Sequence, residues 1–323
     1  MSSPGRRGGR AGLLILAVIF GMAMAARWIS PMPPDLQEDV AGGRFLPPLT
    51  RAHLLPVGQH RTWLVTSMRR IEGGWEVTRG GAAATVQDSE LSGAPEARFY
   101  LLGTDGLGRD MASRLLHGAR HSFGIAFICV ALASVVGAGV GAASALSGGW
   151  PDALMMRGVD AVASVPRLLV FFVCAALTNP STVLLVLVLS ATTWMRLARL
   201  VRAEVMAIKH SDLALAALAA GCSRLRLAMR HLLPAAGPVI AVTATLRLAD
   251  TVLLESAISF LGLGSPTPSV SLGEIMSAGR EGLWGATSAS WVIVWPGLLI
   301  GIVVAALRSA TSGLLAAAEP PPV

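Results

Sequence analysis

The residues equipped for chemistry are few, and their setting limits what that chemistry is. Arg247, Asp250 and Glu255 fall within an apolar run, 235–257, where a charge is costly unless it meets a partner, a protein interior or water. Arg247 and Asp250 are three residues apart, so a helix places them on one face, within reach of each other. Two roles stay open: an ion pair that locks packing, or a polar lining for a solute's route, with Glu255 near its outer end. His117 and His121, four apart, have the spacing to hold Ni²⁺ or Zn²⁺, but no third ligand accompanies them and no metal is expected. The chain has no H-E-x-x-H motif, and Asp250 has no second mid-span aspartate opposite it, which argues against an intramembrane enzyme. Nor can it hold ATP by a P-loop, because Lys209 is its only lysine and follows no glycine.

The elements that must position these residues are membrane helices. Hydrophobic residues make up 53% of the 323 and charged residues 14%, with a mean hydropathy of +0.63, far from a soluble domain's usage. Apolar runs at 11–28, 122–146, 162–178, 181–198, 235–257 and 291–307 are each about 17 to 25 residues, enough to cross a core of roughly 30 Å. Six crossings are therefore predicted. Segment 196–233 holds seven Lys and Arg residues against Glu204 and Asp212, whereas 258–290 has Arg280 alone. By the positive-inside rule the first is cytoplasmic and the second external, which puts both termini in the cytoplasm. The first run also fits a secretory signal ending at Ala23-Met24-Ala25, although an even number of crossings favours a retained span. The net charge of +7 is spread over membrane-flanking loops with no basic face interleaved with aromatics, so nucleic acid is not an expected partner. No repeated halves with broken helices mark a secondary transporter. Along the second span Ala133, Gly137 and Gly141 recur every four residues and predict a smooth face for a close helix partner.

The predicted organisation is a tail and first span at 1–28, an external segment at 29–121, a helical core at 122–310 with a cytoplasmic loop at 199–233, and a tail at 311–323. Within the external segment, "TWLVTSMRRIEGGWEVTRG" (62–80) alternates about Glu72-Gly73-Gly74 and predicts a small hairpin. Then comes "LGTDGLGRDMASRLLHGARHSFG" (102–124), two Gly-rich turns and an amphipathic helix before the second span. Its Gly103, Thr104, Asp105, Gly108, Arg109, Asp110, Ser113 and Arg114 fit L-G-T-D-x-L-G-R-D followed by S-R-L-L. This run resembles the pre-membrane segment of the second permease subunit of dipeptide, oligopeptide and nickel ABC importers.

Two further stretches resemble the same family. Leu215-Ala216-Ala217, Gly221, His231 and Leu233-Pro234 keep the register of its cytoplasmic E-A-A loop, with Leu215 in place of the glutamate and His231 in an apolar slot. Residues 212–220 and 223–233 read as two helices about a turn at Gly221, the second ending where Pro234 opens the next span. Small residues suit a partner's groove and the flanking arginines an acidic rim, although a basic helix lying on anionic lipid has the same composition. "LLESAISFLGLG" (253–264) carries the family's glutamate as Glu255. "SPTPSVSLGEIM" keeps the spacing from Pro268 to Gly273 and Met276, with Leu272 where tryptophan is usual, and 311–320 is a worn form of the family's ending. The resemblance implies an all-α, six-helix permease of a type I ABC importer in the bacterial inner membrane. Asp212, Leu215, Ala216, Ala217, Gly221, Arg224, Arg226, Leu233 and Pro234 would then couple to an ATPase, while Arg247, Asp250 and Glu255 keep the two roles left open above, a packing ion pair or a lining for the path. It further implies a second permease subunit, one or two ATPase subunits carrying ATP and Mg²⁺, an external solute-binding protein, and no cofactor on this chain. Short peptides are the implied cargo, with nickel or another small solute as the alternative.

Overall fold

The computed structural model describes residues 4–58, 61–264, 269–284 and 289–318. The chain divides into two compact units, one of Met1–Ile19, Phe123–Glu255 and Ile302–Val323, the other of Phe20–Ser122 and Ser256–Gly301. Its main helices are α1 (Pro4–Met24), α2 (Met111–Ser147), α3 (Gly149–Ala163), α4 (Arg167–Leu177), α5 (Thr182–Ile208), α6 (Asp212–Ala219), α7 (Gly237–Phe260), α8 (Leu272–Ala278) and α9 (Trp291–Ala318). Among the described residues, α2, α5, α7 and α9 are each long and apolar enough to cross a membrane, and α3 with α4 makes a fifth if the bent pair is one span.

Several boundaries differ from expectation, each for a local reason. The pre-membrane helix and second span are one helix of 37 residues, about 55 Å long, because nothing between Met111 and Ser147 breaks the ladder. The third run, expected as one span over 162–178, is bent by 71° between Ala163 and Arg167. Pro166 is responsible: it lacks an N–H and disfavours helical geometry at Val165. Helix α5 continues ten residues past the expected 198, so the first ten residues of the presumed loop are helical. The C-terminal helix likewise takes in residues 311–318 of the expected tail. Pro268 of the external motif, and Glu319 and Pro320 of the ending, lie outside the described residues.

In the first unit the helices meet at small residues. A Cβ on Gly137 would lie 2.8 Å from the Trp194 carbonyl oxygen, and one on Gly141 would lie 2.5 Å from that of Ala198. Ala133 is buried on the same helix. The predicted smooth face of α2 is thus the seam with α5, backbone against backbone. Helices α1 and α9 approach as closely: a Cβ on Gly12 would lie 2.6 Å from the Ala306 carbonyl oxygen, Gly9 abuts the Gly313 backbone, and Ser309 Oγ donates 2.7 Å to the Gly8 carbonyl.

The second unit corrects the all-helical expectation. Residues 50–100 form β1 (Thr50–Val57), β2 (Arg61–Val65), β3 (Ser67–Ile71), β4 (Gly74–Arg79), β5 (Ala82–Gln87) and β6 (Glu96–Tyr100). They make two antiparallel sheets, ordered β2-β1-β6 and β3-β4-β5. The alternating stretch 62–80 supplies the β3–β4 hairpin, whose register places Ile71 opposite Gly74. The other strands were hidden by prolines at 47, 48 and 56, which read as loop. Asp39 ties the unit together, accepting from the Leu64 N–H at 2.9 Å and from both Arg79 Nε and a terminal nitrogen at 2.8 Å. Burial pushes its carboxyl up, but these hydrogen bonds outweigh burial and hold it below the ordinary 3.8.

The pre-membrane motif is a knot of side-chain-to-backbone bonds in this unit. Thr104 Oγ1 donates to the Gly43 carbonyl at 2.5 Å and accepts from the Leu46 N–H at 2.7 Å. Asp105 accepts from the Leu107 and Arg109 N–H groups at 2.9 Å and from Arg109 Nε at 2.7 Å. Asp110 caps α2, accepting the Ser113 N–H at 2.7 Å and its hydroxyl at 2.6 Å. Gly103 and Gly108, at φ +79° and +74°, make the turns that only glycine takes without strain. Arg114, fully buried, pairs with Glu274 of α8 at 2.8 Å and with Asp105 at 3.4 Å.

Two expectations follow. Gly137→Leu should cost about 1–3 kcal/mol through overpacking and lower the melting temperature of the detergent-purified chain. Gly139→Leu, with open space at its Cβ, should leave it unchanged. Asp39→Asn should destabilise the sheet unit at pH 7 by about 1–3 kcal/mol. Because the folded carboxyl titrates below its unfolded value, that stability is complete above about 3.8 and lost as pH falls through the lower folded value. Wild type and variant should therefore converge in acid, read as amide exchange at Leu64.

Candidate functional site

The cytoplasmic segment folds as an elbow. Ser211 starts α6, its hydroxyl accepting from the Ala214 N–H at 3.4 Å, with Asp212 in the first turn where a negative charge suits the helix dipole. The helix ends at Gly221, whose φ of +79° allows the Cys222 N–H to return 3.0 Å to the Ala217 carbonyl, the Schellman closure. Ser223 then caps a short turn, Arg224–Leu227, accepting from the Arg226 N–H at 3.4 Å. A π-helical stretch, Ala228–Leu232, and the turn Leu233–Ala235 with Pro234 lead into α7. The second predicted helix is thus a chain of shorter pieces.

One face of the elbow is core. Ala214, Leu227 and Leu232 pack with Ala142 and Ala145 of α2 and with Leu197, Val201 and Val205 of α5. The opposite face is open: Leu215, Leu225 and Met229 are 51%, 74% and 63% exposed, beside exposed Arg224, Arg226 and Arg230. Ala216 and Asp212 are exposed on α6 as well, whereas Ala217 is partly buried. This is a greasy surface with a basic rim, too apolar to be left to water.

Beneath it lies a bracket that the sequence reading passed over. Arg202 of α5 holds Asp152 of α3 with Nε at 2.6 Å and a terminal nitrogen at 2.5 Å, and the Ser144 hydroxyl donates to the same carboxylate. Lys209 donates 2.8 Å to the Ala145 carbonyl. An acid two residues after Trp150 and a base near the end of a span were the signals available.

The charges in α7 are placed unequally. Arg247 pairs with Asp250 at 3.1 Å, but its side chain is 8% exposed and that of Asp250 41%. Glu255 is fully buried about 7.5 Å along the helix beyond Asp250. His117 and His121 lie on α2, and among the described residues no group of three His, Cys, Asp or Glu is assembled to hold a metal ion.

Residues 115–320 match the family described as binding-protein-dependent transport system inner membrane component, and the chain belongs to it. It is a multi-pass membrane protein, the permease component of an ABC importer, a transport subunit and not an enzyme. A putative peptide permease protein of Brucella suis is 33% identical over 230 residues, 71% of this chain and 76% of that one. The oligopeptide transport system permease protein OppC of Mycobacterium bovis is 32% identical over 233 residues, 70% of this chain and 77% of that one. An inward-facing structure of the MetNI methionine ABC transporter shares the type I permease fold at a TM-score of 0.53 and 19% identity, over 65% of this chain and 98% of that chain. Both sheets precede the matched segment.

The unequal burial in α7 sets the outcome of charge reversal. Arg247→Asp or Asp250→Arg alone places like charges side by side and should lower the yield of monodisperse protein. The double reversal should recover most of it, measured by size-exclusion chromatography of the solubilised chain.

Proposed function

We propose that this chain is one of two different membrane subunits of an ATP-driven importer of di- or oligopeptides. The observation that carries the coupling role is the elbow: an apolar surface with a basic rim, backed by a packed core and held by one glycine turn. A groove with an acidic edge on an ATPase subunit has the complementary chemistry. The peptide cargo rests on the relatives named as peptide permeases, which share about a third of their residues with this chain. ATP and Mg²⁺ belong to one or two ATPase subunits, an external binding protein delivers the solute, and this chain needs no cofactor of its own.

In this reading the protein sits in a bacterial inner membrane with both termini and the elbow in the cytoplasm. The six crossings are α1, α2, the bent pair α3–α4, α5, α7 and α9. The close contact of Gly9 and Gly12 with α9 supports α1 as a retained span. ATP closes the ATPases, the elbow moves with them, and α2 and α5 carry the motion into the membrane. Of Arg247, Asp250 and Glu255, Asp250 is the side chain open to a route, with Arg247 behind it and Glu255 fully buried.

Gly221 gives the test. Nothing lies within 4 Å of where its Cβ would be, so a substitution acts through backbone conformation and not through collision. Gly221→Val should cost about 1–3 kcal/mol in the elbow and reduce solute-stimulated ATP hydrolysis of the assembled importer about tenfold, with membrane insertion unchanged. Normal stimulation would remove the coupling assignment.

A further inference from the structure

The break between α3 and α4 opens a cavity of about 170 Å³ in the first unit, lined by Val165, Arg167, Thr192, Met195, Arg196 and Arg199 among others. Three guanidiniums line it, Arg167 from the start of α4 and Arg196 and Arg199 from one face of α5. Arg199 has a partner in Asp160 at 3.5 Å. Arg167 and Arg196 make no ion pair or hydrogen bond among the described residues. Arg247 is a fourth cation within electrostatic reach of both, and its Nε has no hydrogen-bond partner among the described residues. Four cations thus face two carboxylates, Asp160 and Asp250.

An excess of positive charge among membrane helices persists only where an anion or water meets it. Arginine forks suit carboxylate and phosphate, which take two parallel N–H bonds. Helix α4 adds first-turn N–H groups left without a side-chain cap by Pro166. One water needs roughly 10–15 Å³ of such space, so this cavity has room for a carboxylate and the atoms around it. Arg196 lies about 20 Å along α5 from Thr182 and about 18 Å from Ile208, midway along the helix, with Arg196 and Arg199 exposed and Arg167 half-buried.

We propose that the cavity is an oxyanion site that receives the C-terminal carboxylate of the solute on its way through. The assignment rests on the peptide reading above and adds to it the residues that recognise one end of the cargo. Asp250, half-open beside Arg247, keeps the neighbourhood suited to a zwitterion rather than to a bare anion.

The test uses proteoliposomes holding the complete importer with its binding protein, and compares ATP-driven uptake of tri-alanine with that of its C-terminal amide. The readout is the acid-to-amide ratio, because any preference of the binding protein enters wild type and variant alike. Arg196→Gln should lower the ratio about tenfold, the size of a lost hydrogen bond to a charged group, by slowing the acid alone. Arg196→Lys should keep most of it. Should Arg196→Gln fail to assemble with the ATPases, Arg167→Gln reads the same ratio from the other helix. An unchanged ratio in assembled Arg196→Gln and Arg167→Gln importers overturns the oxyanion site and leaves the peptide reading standing. If the ratio is unchanged and uptake of both peptides instead follows the phosphatidylglycerol content of the vesicles, the cavity belongs to lipid phosphate and the proposal fails. A wild-type importer that takes up neither peptide overturns the peptide reading and this assignment with it.

Discussion

The membrane unit depends on how closely α2 and α5 approach. Gly137 and Gly141 let the backbone of one helix rest on the carbonyls of the other, and any side chain there would force them apart. That approach fixes the ends of both helices, where Ala142, Ala145, Val201 and Val205 form the floor beneath the elbow. The Asp152–Arg202 pair and the Lys209–Ala145 bond finish the same corner. A close-packed floor of this kind moves as a body when pushed.

The second unit solves a different problem. Its motif residues are spent on backbone groups that would otherwise be unsatisfied: Thr104 serves Gly43 and Leu46, Asp105 serves a Gly-rich turn, and Asp110 caps α2. Arg114 is buried with acids on more than one side, Asp105 and Glu274, so its charge is compensated where water cannot reach. A conspicuous sequence motif here is a device for building the fold.

Legibility in the sequence followed the physics of each signal. The positions of α2, α5, α7 and α9 were readable because an apolar run must be long enough for lipid, and the glycine elbow because only a few residues tolerate positive φ. The Ala133-Gly137-Gly141 stripe gave a face but not its partner, since spacing on one helix says nothing of which other helix fills it. The break at Pro166 was written in the sequence and overridden by the apolar run around it. Prolines 47, 48 and 56 made β1 read as loop, and the other strands are too short to alternate visibly, so only the β3–β4 alternation stood out. Arg202 and Asp152 are fifty residues apart and meet through tertiary packing alone. Arg196 passed as one of the positive-inside charges of 196–233 and Arg167 as part of an apolar run, since neither a charge count nor a hydropathy run says whether a guanidinium faces water, lipid or a cavity.

Lys209 is the only lysine in the chain, and its ammonium is engaged by the Ala145 carbonyl at the corner under the elbow. The protein therefore carries a built-in reporter: one side-chain amine, at the corner where α2 and α5 meet. Acylating reagents find that nitrogen slowly while the bond to Ala145 is closed and faster whenever α2 and α5 part at that end, so the label on Lys209, resolved by peptide mapping from that on the α-amino group, follows the joint without any engineered probe.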